Sequence, residues 1–412
     1  MPGSKSLTNR ALVIAALAQG QTSLEGALVA EDTEVMKRAL AELGFELTDS
    51  GTTVRIDGAG GRVPAAGARL DLRLSGTSIR FLAALVALGR GRYELDGNER
   101  MRERPIGDLL AALSALGAQA VSLAGNDCPP IRIDANGLTG GRVAVAGDRS
   151  SQFLSGLLLV APYALSQTTI EVTGELQSKP FVDMTVCLMA DFGVDVRREG
   201  YNRFSVPTGR YRGRSFQVEG DAMAAGYFWA AAAVTGGRVR VSNLGRKSSQ
   251  GDRRLADVLE AMGCAVAWGD DWCEVRGPAN RVLHGGTFDL NDFPDQAQTL
   301  AVLALFADTP VEIANVWNLR IKETDRLQAL ANELRKFGAR VDERRDGLLI
   351  EPSDQPRPAR VETYGDHRMA MAFAVAGLRL SGTEITEPSC VAKTYPGFFA
   401  DLRSLATSGS AL

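Results

Sequence analysis

The stretch Lys322-Glu323-Thr324-Asp325-Arg326-Leu327-Gln328-Ala329-Leu330-Ala331-Asn332-Glu333-Leu334-Arg335-Lys336-Phe337-Gly338 decides the architecture. Leu327, Leu330, Leu334 and Phe337 recur at intervals of three and four residues, which predicts a helix over Asp325 to Phe337 with one apolar face. Gly338 stops it, because the residue that ends a helix commonly takes a positive φ that a side chain resists. Gly44, Gly117, Gly193 and Gly263 stand in the same relation to four other helices, each followed by alternating strands such as Val54-Arg55-Ile56. Ahead of each such helix runs another, rich in small residues and leading into an extended segment. These segments are Asn9 to Gly26, Ile79 to Gly97, Gln152 to Gly174, Ala225 to Gly245, Gln298 to Val316 and His367 to Pro388. Arg10, Arg80, Gln152, Ala225, Gln298 and Arg368 mark equivalent points, spaced by 70, 72, 73, 73 and 70 residues. A period this regular over the whole chain marks a sixfold internal repeat.

Each unit reads α-β-α-β-β, with turns such as Asp49-Ser50-Gly51 closing the last hairpin, and the sixth ends after its second helix. Roughly 70 residues are too few to enclose a good core alone, whereas three units make an ordinary domain. Two domains are therefore expected, 3–216 and 217–405, with the boundary near Gly213 to Gly220 and a frayed tail of Ser, Thr, Gly and Ala at 406–412.

Lys and Arg number 46 against 49 Asp and Glu, so the net charge of −3 offers no global field to nucleic acid or an anionic membrane. No apolar run approaches the ~20 residues of a bilayer span, and the first residues lack a secretory core, so a cytoplasmic protein is expected. Five scattered cysteines without C-x-x-C spacing argue for a reducing compartment and against a disulfide framework. Only His284 and His367 are available for a histidine metal site or a Ser-His-Asp triad, and no Walker A, zinc or EF-hand pattern occurs. Metal dependence is not expected.

The starts of the first helices carry Ser4-Lys5-Ser6, Ser75-Gly76-Thr77-Ser78, Arg149-Ser150-Ser151-Gln152, Asp221, Asp295 and Asp366-His367-Arg368. Each Ser, Thr or Asp taken singly is an ordinary helix cap. Six helix N-termini facing one surface would together form an anion site, to which Lys5, Arg10, Arg80 and Arg368 add charge. Arg100, Arg102 and Arg104, then Arg320, Lys322 and Arg326, then Lys393 form further basic clusters. Surface cations are usually just solvated, but converging Arg and Lys suit a small, multiply anionic substrate. Asp295 reads equally as a cap or a catalytic group, and Glu323 equally as a salt-bridge partner or one; in a cationic cleft either could move a proton.

Seven of these motifs resemble those of one family, 5-enolpyruvylshikimate-3-phosphate synthase. They are Pro2-Gly3-Ser4-Lys5-Ser6-Leu7-Thr8-Asn9-Arg10, Glu103-Arg104-Pro105-Ile106-Gly107, Ser150-Ser151-Gln152-Phe153, Ser178-Lys179-Pro180, Lys322-Glu323-Thr324-Asp325-Arg326, Asp366-His367-Arg368-Met369-Ala370 and Ala392-Lys393-Thr394, in family order over nearly the whole chain. The resemblance implies a two-domain inside-out α/β barrel of six βαβαββ units, three per domain, with the active site in the interdomain cleft. It implies transfer of the enolpyruvyl group of phosphoenolpyruvate to the 5-hydroxyl of shikimate 3-phosphate through a tetrahedral intermediate, by a monomer, without metal or organic cofactor. By the same matching, Lys5 would touch both substrates and help move protons, Asp295 would take the 5-hydroxyl proton, and Glu323 would serve the enolpyruvyl methyl carbon. Shikimate 3-phosphate would be held by Lys5, Ser6, Arg10, Ser150, Ser151, Gln152, Ser178, Asp295, Asn318 and Lys322. Phosphoenolpyruvate would be held by Lys5, Gly76, Arg104, Gln152, Arg326, Arg368 and Lys393.

Two departures fall in the family's phosphoenolpyruvate loop, where Leu74 replaces an Asn and Phe81 a Pro. Both are expected to change the wall of that pocket, and with it the response to glyphosate. The sister enzyme acting on UDP-N-acetylglucosamine shares the six-unit fold, but it uses a loop cysteine that Gly97 to Arg104 lacks. A lapsed relative that only binds phosphorylated metabolites would need the cations but not both carboxylates.

Overall fold

A computed structural model describes residues 1–408 of the chain, with side chains to 405. It comprises two compact units, one of Gly3–Val218 and one of Met1–Pro2 together with Glu219 onward. In the first unit the helices Lys5–Leu17, Gly76–Val86 and Ser151–Val160 pack on one another, and every residue of Gly76–Val86 is buried. In the second, Ala222–Thr235, Ala297–Leu303 and His367–Gly377 do the same. Their sequences are apolar or small on all sides, so they have no face to offer water and can only lie at the centre. Ala222–Thr235 is the extreme case, with Trp229, Tyr227 and Phe228 almost wholly enclosed. The second helix of a unit is different. Arg326–Lys336, capped by Asp325 and followed by Gly338 at φ +97°, buries Leu327, Leu330 and Leu334 and turns Gln328, Asn332, Arg335 and Lys336 outward. The first helices therefore sit inside each compact unit and the sheets outside.

The sheets repeat one plan. Ser215–Gln217 runs parallel to Gln19–Glu25, which pairs antiparallel with Thr53–Ala59, itself antiparallel to Glu46–Ser50. The same four-strand order recurs around Arg90–Asp96, Thr168–Thr173 and Val311–Ala314. Around Arg238–Ser242 the sheet has three strands among the described residues, and the sixth pairs only Arg360–Val361 with Glu384–Ile385.

Three details differ from the sequence reading. A parallel edge strand such as Gly67–Asp71 precedes the first helix of a unit, where the α-β-α-β-β reading has none. These strands are short and mostly exposed, so they carry little alternation. Ser215–Gln217 belongs with the first sheet, so the expected division at 216 would cut a strand; its pairing with Ser23 to Glu25 keeps it in the first unit. Of the expected tail, 406–408 form the end of helix Phe398–Ser408. The remainder, 409–412, lies outside the described residues.

Candidate active site

In the first unit the central helix starts carry the polar residues singled out from the sequence. Lys5 stands behind the cap Ser4, whose hydroxyl accepts from the Leu7 N–H at 3.4 Å. Its ammonium lies 3.1 Å from Asp32 Oδ2, a carboxylate in the first turn of Glu31–Glu42. Asp32 escaped sequence reasoning because it stands beside Glu31 and Glu34, where acids are ordinary on dipole grounds.

Arg10 is 1% exposed. It donates to Thr185 Oγ1 at 2.7 Å, to the Ser6 and Phe181 carbonyls at 3.0 Å and to Ser155 Oγ at 3.4 Å. Burial pushes its pKa down to about 9. Arg10 thus spends its donors inside the unit, bracing Ser6 and the turn that follows Ser178. Phe81, expected on a pocket wall, is fully buried, with its ring 5.1 Å from the Arg10 guanidinium. Its substitution acts on that brace.

Gly76 opens Gly76–Val86, and a Cβ there would meet the buried Arg104 guanidinium at 2.5–2.7 Å. Arg80 ties this helix start to its neighbours, donating to Gln152 Oε1 at 2.5 Å and to the Pro105 carbonyl at 3.3 Å. Gln152 Nε2 donates in turn to Thr77 Oγ1 at 3.0 Å. Ser150 acts as a cap, accepting from the Gln152 N–H at 3.3 Å, and Ser151 is buried beside it. Ser178 holds φ +57° just ahead of Lys179–Asp191, a conformation costly for a residue with a side chain.

The second unit joins its predicted residues in one ion-pair network. Arg326, 1% exposed, donates Nη1 to Asp295 Oδ1 at 3.0 Å, Nη2 to Glu323 Oε2 at 2.9 Å and Nε to Asp366 Oδ2 at 2.7 Å. Arg368 Nη2 reaches Asp295 Oδ2 at 2.9 Å, Lys322 Nζ lies 3.6 Å from Asp295 Oδ1, and Lys393 Nζ lies 3.6 Å from Glu323 Oε1. Asp366 caps His367–Gly377. Buried Glu333 accepts from the Tyr364 hydroxyl at 2.8 Å and the Glu362 N–H at 3.1 Å, fixing the approach to that cap. Burial alone would raise the Asp295 pKa, but Arg368, Lys322 and Arg326 outweigh it and hold the carboxyl far below its usual range. Asn318, 4% exposed on the short helix Trp317–Ile321, leaves Oδ1 without a hydrogen bond among the described residues. Of the bland alternatives, Glu323 does make a salt bridge, whereas Asp295 caps no helix.

Asp252, at the start of the second helix of the fourth unit, was also missed. It is 5% exposed, with Oδ1 unbonded among the described residues. Burial and the charge of Asp295 push its pKa from 3.8 up to about 7, against the pull of Arg368 and Lys322. Between those two values the folded protein keeps a proton that the unfolded chain gives up, so stability falls as pH rises through this window. Relative to Asp252→Asn, the native protein is expected to lose melting temperature steadily from about pH 4 to about pH 7, with a constant gap above. Thermal unfolding across pH 4–8 checks this, and a gap independent of pH would contradict it.

Buried Arg and Lys at the starts of central helices, with carboxylates set among them, define a protein that handles small, multiply charged anions. Residues 1–402 match the family described as EPSP synthase (3-phosphoshikimate 1-carboxyvinyltransferase). The 3-phosphoshikimate 1-carboxyvinyltransferase of Nostoc punctiforme is 50% identical over 403 residues, covering 97% of this chain and 94% of that protein. The enzyme of the same name from a Shewanella species is 47% identical over 410 residues, covering 98% and 96%. A solved EPSP synthase from Acinetobacter baumannii matches with a TM-score of 0.80 at 28% identity, over 98% of this chain and 94% of that one. The chain belongs to the EPSP synthase family and has its two-domain inside-out α/β fold.

Proposed function

We propose that the chain carries out its family's reaction, enolpyruvyl transfer from phosphoenolpyruvate to the 5-hydroxyl of shikimate 3-phosphate in the shikimate pathway, with the residues described above in the following roles. The observation that carries this assignment is the placing of Asp295 and Glu323 on one guanidinium, that of Arg326, at 3.0 and 2.9 Å within a cationic cluster. Adding a hydroxyl across a carbon–carbon double bond needs a proton acceptor and a proton donor at once; binding anions needs neither. In the addition step Asp295 takes the 5-hydroxyl proton as that oxygen bonds to C2 of phosphoenolpyruvate, and Glu323 gives a proton to C3. In the elimination step Glu323 takes a proton back from the new methyl group, the bond from C2 to the phosphate oxygen breaks, and phosphate leaves.

Arg104, Arg326, Arg368 and Lys393, with Gln152 and the backbone at Gly76, take the carboxylate and phosphate of phosphoenolpyruvate. Ser6, Ser150, Ser151, Gln152, Ser178, Asn318 and Lys322 take shikimate 3-phosphate, and Lys5 contacts both substrates. Arg10 contributes through its charge and by holding Ser6. Fixing both reactants supplies most of the acceleration, and the cations stabilise the departing phosphate. The five cysteines are free thiols, which fits a reducing compartment; we place the enzyme in the cytoplasm as a monomer.

Phosphate release by the purified protein without added metal, offered shikimate 3-phosphate or UDP-N-acetylglucosamine as acceptor, tests the assignment. Release only with shikimate 3-phosphate is expected; release only with the sugar nucleotide overturns it. Gly76→Ala forces the Arg104 guanidinium aside. It is expected to raise KM for phosphoenolpyruvate about ten- to a hundredfold while leaving that for shikimate 3-phosphate nearly unchanged. Steady-state kinetics read both constants, and equal effects would mean that the helix start itself had moved.

A further inference from the structure

Both oxygens of Asp295 are engaged, Oδ1 by Arg326 at 3.0 Å and Lys322 at 3.6 Å, and Oδ2 by Arg368 at 2.9 Å. A carboxylate whose two oxygens both accept from guanidinium groups gains little by taking a proton. The same arginines suit the carboxylate and phosphate of phosphoenolpyruvate. Substrate and base therefore compete for one set of donors.

Local charge decides the competition. Asp295, Glu323 and Asp366 share the cations Arg326, Arg368, Lys322 and Lys393. Phosphoenolpyruvate brings more than one negative charge to the same guanidinium donors, so on its arrival the carboxylate held least firmly gives up its partners. Asp366 is held hardest, with no exposure, both oxygens on Arg326 and a cap bond to the Arg368 N–H at 2.9 Å. Among the three, side-chain exposure is 0% for Asp366, 9% for Glu323 and 16% for Asp295, so Asp295 regains water most easily. Asp252 faces Asp295 as well and opposes its negative charge.

We propose, resting on the reaction assigned above, that phosphoenolpyruvate itself frees Asp295 for proton transfer by taking over Arg368 and Arg326. The base then acts only when the carbon that the alkoxide will attack is in place. Shikimate 3-phosphate alone keeps its 5-hydroxyl proton.

The test uses phospholactate, the saturated analogue of phosphoenolpyruvate, which carries both anionic groups but cannot react. Its affinity is measured by calorimetry with shikimate 3-phosphate saturating, for the native protein, Asp295→Asn and Asp295→Ala. Removing the competing carboxylate is expected to tighten binding about tenfold in both variants while turnover is lost. Unchanged or weaker binding in the folded variants overturns the inference; the second substitution serves if the first does not fold. The underlying reaction is judged separately, on the native protein. Turnover with unaltered phospholactate affinity in the variants removes only this inference, and a native protein that releases no phosphate with shikimate 3-phosphate removes both.

Discussion

Arg326→Met is expected to lower the melting temperature by about 6–15 °C and to abolish turnover. Arg326 is 1% exposed and bonds three carboxylates, Asp295, Glu323 and Asp366. Burial opposes its charge, but the fields of Asp366, Glu323 and Asp295 outweigh that and lift its pKa above the ordinary arginine value. Methionine fills much of the volume but leaves Asp366 and Glu323 enclosed without their main cation. Breaking a buried pair from one side costs about 3–5 kcal/mol, far more than the pair contributes when intact. The comparison is Arg340→Met, which removes a pair to Glu351 whose arginine side chain is 87% exposed. That variant is expected to melt with the native protein. Differential scanning calorimetry of the two variants separates these outcomes, and equal melting temperatures would mean that the network around Arg326 carries no special weight.

Glu323→Gln is expected to cut turnover by about 10²- to 10⁴-fold, the usual range for loss of a general acid, with shikimate 3-phosphate affinity changed only slightly. The substitution keeps the shape and an oxygen that can accept from Arg326 Nη2, now 2.9 Å away, so packing is preserved. What it loses is the proton that C3 must receive and later return. Stopped-flow turnover together with calorimetry of shikimate 3-phosphate binding reads the two effects. A normal rate would remove Glu323 from the chemistry, and a matching loss of binding would make it structural.

The repeat was legible because its signals are local: apolar spacing in the second helices, and a glycine after each, all five of which have positive φ. The edge strands were not, because a segment such as Gly67–Asp71 has one buried side chain and owes its form to pairing with Arg90–Asp96. At the site, Lys322, Glu323 and Arg326 could be grouped from the sequence because three or four residues along a helix start bring side chains together. Arg326 with Asp366, 40 residues apart, could not, since only the packing of the fifth repeat on the sixth, within the second compact unit, joins them. Asp32 and Asp252 illustrate a subtler limit. Alone, each is one more acid near a helix start; the fold sets one beside Lys5 and the other under the field of Asp295.

The three-stranded sheet carries a consequence for how this protein behaves in a crowded solution. Among the described residues Arg238–Ser242 pairs on one side only, with Trp272–Arg276. Its other side presents peptide groups to which any extended chain could add, the usual seed of aggregation. The strand is five residues long and carries two exposed cations, Arg238 and Arg240, whose head groups turn to the paired side, 3.8 and 2.9 Å from Glu274, with Arg240 4.1 Å from the centre of the Trp272 ring. An added strand would find only a short ladder, with two charges beside it. Shortness and charge are thus what this edge sets against an added strand.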